Sequence, residues 1–412
     1  MAVPPILDQT WLRSRFPAFD SPDLQGWAFF ENAGGSYPCR PVVDRLERFY
    51  RHRKVQPYAP YPASELAGAE MDEARARLAA VLGVATDEVS FGPSTSANTY
   101  VLAQAVRRWL PPGSAVVVTD QDHEANTGVW RRLGEEGVEI REWHMDPATG
   151  HLDPDRLADL LADGRVRWVA FPHCSNVVAE INPVAEICAM IRAAGAFSCV
   201  DGVSYAPHGL PDVGALGADV YLFSAYKTYG PHQGILVIRE ALARTLPNQG
   251  HVFNGGTTYK RFTPAGPDHA QVAACAGMVD YLDALADRQG VGHLPPAARG
   301  AAVHDAMRAT EIAVMQPLLD YLADRNDLRL LGPRLAARRA PTFALALGRP
   351  AEPVARALAA HRIMAGGGDF YAVRPLAALG VAPDDGVLRL SMVHYTTPDE
   401  VDQLIQALSQ VL

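Results

Sequence analysis

From about residue 75 to residue 240 the chain alternates short, continuously apolar runs with longer stretches of helical period. The runs fall at 89–91, 115–119, 167–171, 196–200, 220–223 and 235–238, and helical patterns fill 97–109, 126–136 and 183–194. Apolar strands separated by helices predict a largely parallel sheet covered on both faces. Ligands in such folds bind where loops leave the carboxyl ends of the strands, so the residues just after each run carry the interest. Beyond Gly255-Gly256 the pattern changes. Ala- and Arg-rich helical stretches cover about 270–325, strand-like runs follow at 342–347 and 387–392, and a last helix is predicted over 398–412. This predicts a second, smaller α+β domain with its boundary near 290–296. Residues 20–295 then form the large domain, and 1–19 together with 296–412 the small one. The arginine-bearing stretches 45–53 and 334–339 read as solvated helix faces.

Composition narrows the function classes. The 412 residues are 48% hydrophobic with a net charge of −9, and there are 14 tyrosines. Such a chain is no disordered protein and has no general attraction for nucleic acid or anionic lipid. No apolar run reaches the ~20 residues that span a bilayer, and the N-terminus lacks a signal-peptide pattern, so a cytoplasmic location is expected. Five cysteines (39, 174, 188, 199 and 275) include no C-x-x-C pair, so neither a zinc ribbon nor a dithiol motif is predicted, and no metal is expected. Only Lys54, Lys227 and Lys260 are lysines.

The strand ends hold a consistent polar set. After residue 91 comes Pro93-Ser94-Thr95-Ser96 at a helix start, where hydroxyls, free N–H groups and the helix dipole suit a phosphate, or where a serine simply caps the helix. After 119 comes Asp120-Gln121-Asp122-His123-Glu124, without the second histidine of a zinc-protease helix. After 171 comes His173-Cys174-Ser175-Asn176, and after 200 comes Asp201-Gly202-Val203-Ser204. A carboxylate ending a buried run is costly unless a cation pairs with it. After 223 comes Ser224-Ala225-Tyr226-Lys227. Lys227 alone of the three lysines follows a buried strand, where desolvation makes an amine nucleophilic or where it forms an ion pair with Asp201.

The string SAYKTYGP after DVYLF, with VDGVSYAPH upstream, resembles the cofactor-lysine region of the class V aminotransferase family, in its cysteine desulfurase-like branch. FGPSTSANTYVLA, DHEANTGVW, PHCSNVVAEINP and LRLSMVHYTTPDEVDQL match the same branch in the same order, so the resemblance extends over nearly the whole chain. It implies the fold type I α/β architecture, with a mainly parallel seven-stranded sheet in the large domain. It also implies pyridoxal 5′-phosphate as cofactor, a homodimer, and a small amino acid as substrate. By the same resemblance Lys227 would hold the cofactor covalently and then shuttle the Cα proton. Asp201 would pair with the pyridine nitrogen, and His123 would stack on the ring and act in proton transfer. Thr95, Ser96, Ser224 and Tyr226 would cradle the phosphate, Tyr226 standing where relatives commonly have histidine. Asn176 and Ser204 would lie near the phenolic oxygen, where relatives usually have glutamine at the second position. Arg389 would bind the substrate carboxylate, with Asn32 also on the substrate side.

Two departures shape the functional expectation. Cysteine desulfurases carry a nucleophilic cysteine on a loop shortly before the carboxylate-binding arginine. The matching segment here is Gly366-Gly367-Gly368-Asp369-Phe370-Tyr371-Ala372, and the last cysteine in the chain is Cys275. A threonine that often reaches the partner subunit's phosphate is replaced near Ala265-Gly266-Pro267-Asp268. The expectation is a transferase or lyase acting at the amino group or Cα without a persulfide. Transamination, epimerisation and β-elimination with C–S cleavage remain open, and the segment 366–372 is expected to shape substrate choice. A non-catalytic relative of the fold would not require the retained lysine, aspartate, histidine and arginine. A nicotinamide-dependent dehydrogenase would require a G-x-G-x-x-G after a strand, which is absent.

Overall fold

The computed structural model describes residues 6–412, so the first five residues assigned above to the small domain lie outside the described ones. A short strand β1 (Ala28–Phe29) precedes the main sheet. That sheet contains β2 (Val89–Gly92), β3 (Ala115–Thr119), β4 (Glu139–Trp143), β5 (Val166–Pro172), β6 (Phe197–Asp201), β7 (Val220–Ser224) and β8 (Gly234–Ile238). They lie in the order β2-β8-β7-β6-β5-β3-β4. β8 runs antiparallel to both β2 and β7, and the other six strands run the same way. The architecture is the expected mainly parallel, seven-stranded fold type I sheet. Strands β2, β3, β7 and β8 are buried at every position, because helices cover both faces and leave no solvent side for polar alternation.

Three local expectations are corrected. The seventh strand, β4, was not among the runs read from the pattern. It is an edge strand paired only with β3, so its face can carry Glu139 and Arg141, the latter bound to Asp163. The helix expected over 126–136 is a single turn at Gly128–Arg131 between two 3₁₀ turns, closed by Gly137 at φ +85°. Three glycines in ten residues weaken a continuous helix there. The arginine-bearing stretches are not uniformly solvated. Arg45 faces inward to Asp280 (2.6 Å) and Glu73 (2.8 Å). Arg339 is fully buried and donates to the carbonyls of Leu331 and Thr342, both at 3.0 Å, and of Pro333. An arginine's five donors can close off the orphan carbonyls of an irregular loop, which an exposed-face reading overlooks.

A second sheet is built from β9 (Arg329–Leu330), β10 (Thr342–Ala346), β12 (Gly366–Gly368) and β13 (Val387–Ser391), in the order β12-β13-β10-β9, while β11 (Ile363–Met364) pairs with β1. Its core is a separate apolar cluster that includes Leu318, Phe343, Leu388 and Leu404. The 28-residue helix Pro296–Ala323 packs Val303 and Met307 on the large cluster and Val314 to Leu322 on the smaller one. Leu7, Leu12 and Phe16 pack into the large cluster. The result that matters for chemistry is that β13 meets the carboxyl edge of the main sheet.

Candidate active site

A cavity of about 500 Å³ opens at that edge. Each contributing strand delivers its following residues: Thr95 and Ser96 after β2, His123 after β3, Asn176 after β5, Asp201 and Ser204 at β6, and Ser224, Tyr226 and Lys227 after β7. Arg389 enters from β13 of the second sheet. Ten of the eleven residues proposed from sequence therefore line one cavity. Asn32 does not line it. Its amide donates to the carbonyls of Phe29 (3.1 Å) and Ser391 (3.0 Å), and its oxygen accepts from the Tyr395 hydroxyl (2.5 Å). Both of its amide hydrogens and one acceptor position of its oxygen are engaged in tying β1 to β13.

The helix Thr95–Trp109 starts at the cavity, capped by Ser94, whose Oγ accepts from the Ala97 N–H at 3.1 Å. The cap falls on Ser94, so Thr95 and Ser96 keep their hydroxyls for the cavity, and Thr95 Oγ1 meets Ser224 Oγ at 2.8 Å. Hydroxyls beside the positive end of a 15-residue helix suit an anion. Gly234 makes the approach possible, since a Cβ there would lie 2.3 Å from the Ser94 carbonyl carbon. The Tyr226 ring stacks on His232 at 4.8 Å.

Lys227 ends a 3₁₀ turn that follows β7 directly. Desolvation, reinforced by the Arg389 charge, lowers its amine to about 8 despite the opposing pull of Asp201 and Glu31. More of it is then unprotonated near neutral pH than of an ordinary lysine, and that form can attack a carbonyl. Asp201 is buried and its carboxyl is raised to about 6 by desolvation, against an N–H from Val203 (2.8 Å) and the charge of Lys227. Asp122, a second buried carboxyl, is also raised well above the usual carboxylate range, by burial and then by Asp201. It accepts from the His123 N–H and from the Asn126 amide, each at 2.7 Å.

His123 is lowered to about 4 by burial, then by Lys227 and Arg389. Its Nδ1 accepts from the Ala125 N–H at 3.0 Å, so the neutral ring carries its proton on Nε2. Arg389 sits in register with Gly366 and Ala344 on the neighbouring strands, whose small side chains leave space for the guanidinium. That group stacks 3.8 Å over the Phe370 ring and bonds Glu31 at 2.5 Å. Asn176 donates to the Phe370 carbonyl at 3.0 Å, while its own oxygen has no partner. The segment expected to shape substrate choice thus lies against the cavity. Phe370 and Tyr371 hold it there with φ of 54° and 57°, a conformation that bulky residues rarely adopt.

Sequence reasoning missed Glu31, Asp122 and the stacking role of Phe370. The rule that found Asp201 also applied to Glu31, which ends the apolar pair Phe29-Phe30, and to Asp122, three residues past β3.

The residues fit pyridoxal phosphate. An amine with a lowered pKa, a buried carboxyl, a neutral imidazole, a hydroxyl-rich helix start and an unpartnered amide oxygen converge on a cavity of suitable size. No group of His, Cys, Asp and Glu among the described residues is arranged to hold a metal ion.

Comparison with known proteins agrees. Residues 28–404 match the family model for aminotransferase class-V. The chain is 32% identical to "Aminotransferase-like protein FGM3" of Gibberella zeae, covering 97% of this chain and 98% of that protein. It is 31% identical to a cysteine desulfurase of Serratia proteamaculans, over 97% of each. Among solved structures, a cysteine desulfurase of Thermococcus onnurineus superposes with a TM-score of 0.83 at 22% identity, covering 100% of this chain and 98% of the other. The Escherichia coli cysteine desulfurase CsdA gives 0.81 at 22% identity, over 99% of each.

Proposed function

Because the chain belongs to the class V aminotransferase family and is a pyridoxal phosphate-dependent enzyme, we propose that it acts at the amino group or Cα of a small amino acid without a persulfide-forming cysteine. The observation that carries this reading is the pairing of Lys227 and Arg389 in one cavity whose bordering segment 366–372 holds no thiol. All five cysteines are buried, and burial pushes Cys174, which alone of them touches the cavity, up to about 12. A thiol so held is no nucleophile at neutral pH.

The side chains divide the work. When bound, pyridoxal phosphate supplies an aldehyde for amine exchange and a conjugated ring that stabilises negative charge at Cα. Lys227 provides the attacking amine and, once released, a base for the Cα proton. Asp201 keeps a proton at the pyridine nitrogen. His123 would cover the ring with a neutral imidazole, and its Nε2 has a proton to give. Thr95, Ser96, Ser224 and Tyr226 would hold the phosphate, Asn176 and Ser204 would serve the phenolic oxygen, and Arg389 would orient the substrate carboxylate. The proposed unit is a homodimer. In its support, Val252 and Phe253 are 94% and 84% exposed at the tip of the 248–263 segment, more apolar surface than an isolated loop normally shows. Sedimentation should give twice 44.4 kDa, and Phe253→Asp should shift it toward the single-chain mass. An unchanged single-chain mass in the unaltered protein would remove the dimer.

The test of the central reading is spectroscopic. The purified protein, reconstituted with cofactor, should be yellow, and Lys227→Ala should lose that band. A protein that stays colourless would sink the proposal. Products of an amino-acid screen then separate keto acid, ammonia, sulfide and inverted amino acid. Rapid sulfur transfer from cysteine through a protein-bound persulfide would contradict the reading of the loop.

A further inference from the structure

Arg389 does not wait in the cavity as a free cation. Its Nη2 donates to Glu31 Oε1 at 2.5 Å, while its Nε is buried without a partner. The second Glu31 oxygen is also buried and unpartnered. Two glycines make room for this carboxylate. A Cβ at Gly34 would lie 2.7 Å from Oε1, and one at Gly366 would lie 3.0 Å from Oε2 and 2.8 Å from the Phe370 ring. Glu31 thus occupies a fitted place against the guanidinium rather than a chance contact.

The charge balance follows. With Lys227 either joined to the cofactor or acting as a neutral base, and His123 neutral, Arg389 is the remaining cation among the lining side chains, and Glu31 already neutralises it. A substrate carboxylate that takes the Nε–Nη2 edge bidentately must displace Glu31. The displaced carboxylate then stands unpaired in a partly desolvated wall, which is costly unless the substrate brings a donor to it.

Building on the amino-acid reading of the cavity, we propose that Glu31 is a specificity-determining residue. It yields Arg389 to the substrate carboxylate and accepts a hydrogen bond from a cationic or N–H-bearing group on the substrate side chain. The preferred class is therefore α-amino acids whose side chains end in an amine or amide, and dicarboxylic amino acids are disfavoured.

The test uses the cofactor-loaded protein and its visible absorption, titrated with ornithine, 2,4-diaminobutyrate, norvaline and glutamate. One of the two diamino acids should bind about tenfold or more tighter than norvaline, as a charged hydrogen bond implies, and glutamate should bind weakest. In Glu31→Gln that preference should fall below about threefold, with norvaline unchanged or tighter, since Arg389 is released. Glu31→Asp, which keeps the charge, should retain part of the preference and serves if Glu31→Gln does not fold. An equal loss for charged and neutral amino acids would reduce Glu31 to a support for Arg389 and overturn the proposal. So would the absence of any preference in the unaltered protein. Loss of the band from the unaltered protein would instead sink the cofactor reading itself.

Discussion

Lys227 and Arg389 influence each other across the cavity, and that coupling is measurable. Arg389 is the second cause, after desolvation, of the lowered Lys227 amine. Capture of pyridoxal phosphate by the cofactor-free protein should therefore speed up as pH rises through about 8. Arg389→Gln removes a positive neighbour, which favours protonated lysine and should move the midpoint upward; a downward shift would contradict the coupling. Lys227→Arg keeps the charge but not the nucleophile, so no band should form. Arg339 makes a different prediction, about stability. Arg339→Met strips donors from the carbonyls of Leu331, Pro333 and Thr342, and should cost about 3 kcal/mol or more in a denaturant titration.

At the scale of elements, the proposed anion site depends on how closely β8 approaches the helix Thr95–Trp109. Gly234→Ala places a methyl against the Ser94–Thr95 backbone, a contact that cannot be relieved by a side-chain rotation. The expected result is a loss of about 1–3 kcal/mol of stability together with weaker cofactor retention, followed by dialysis and absorbance. Retention at the normal level would mean that the helix start does not hold the phosphate. The pattern of apolar runs located the strands well where both faces are buried, because there the signal is continuous. It failed at β4, whose polar edge leaves an ambiguous mixture, and at 126–136, where glycines interrupt the helix.

The whole molecule buries several histidines in their neutral form. His123 and His394 are lowered to about 4 and His173 to about 3, in each case chiefly by desolvation. Between pH 6.5 and 4 the unfolded chain binds protons there that the folded chain refuses. Stability from these groups is thus complete above pH 6.5 and lost on acidification, by about 1.4 kcal/mol per pH unit for each proton. Asp201 and Asp122, raised by burial, offset part of this because they take up protons in the folded state first. In His394→Leu one titrating group is gone, so its stability deficit against the unaltered protein should shrink as pH falls from 6.5 to 4.5. A constant deficit would show that His394 charges without cost. Sequence alone determined the alternating sheet, the strand ends that line the cavity, and Lys227 as the one lysine of three that follows a buried strand, since burial and chain order leave local patterns. Tertiary structure decided that Asn32 ties β1 to β13 and that Glu31 faces Arg389. Those two residues stand 358 positions apart. Their partnership depends on the second sheet docking at the edge of the first, and no local pattern in the chain encodes that distance.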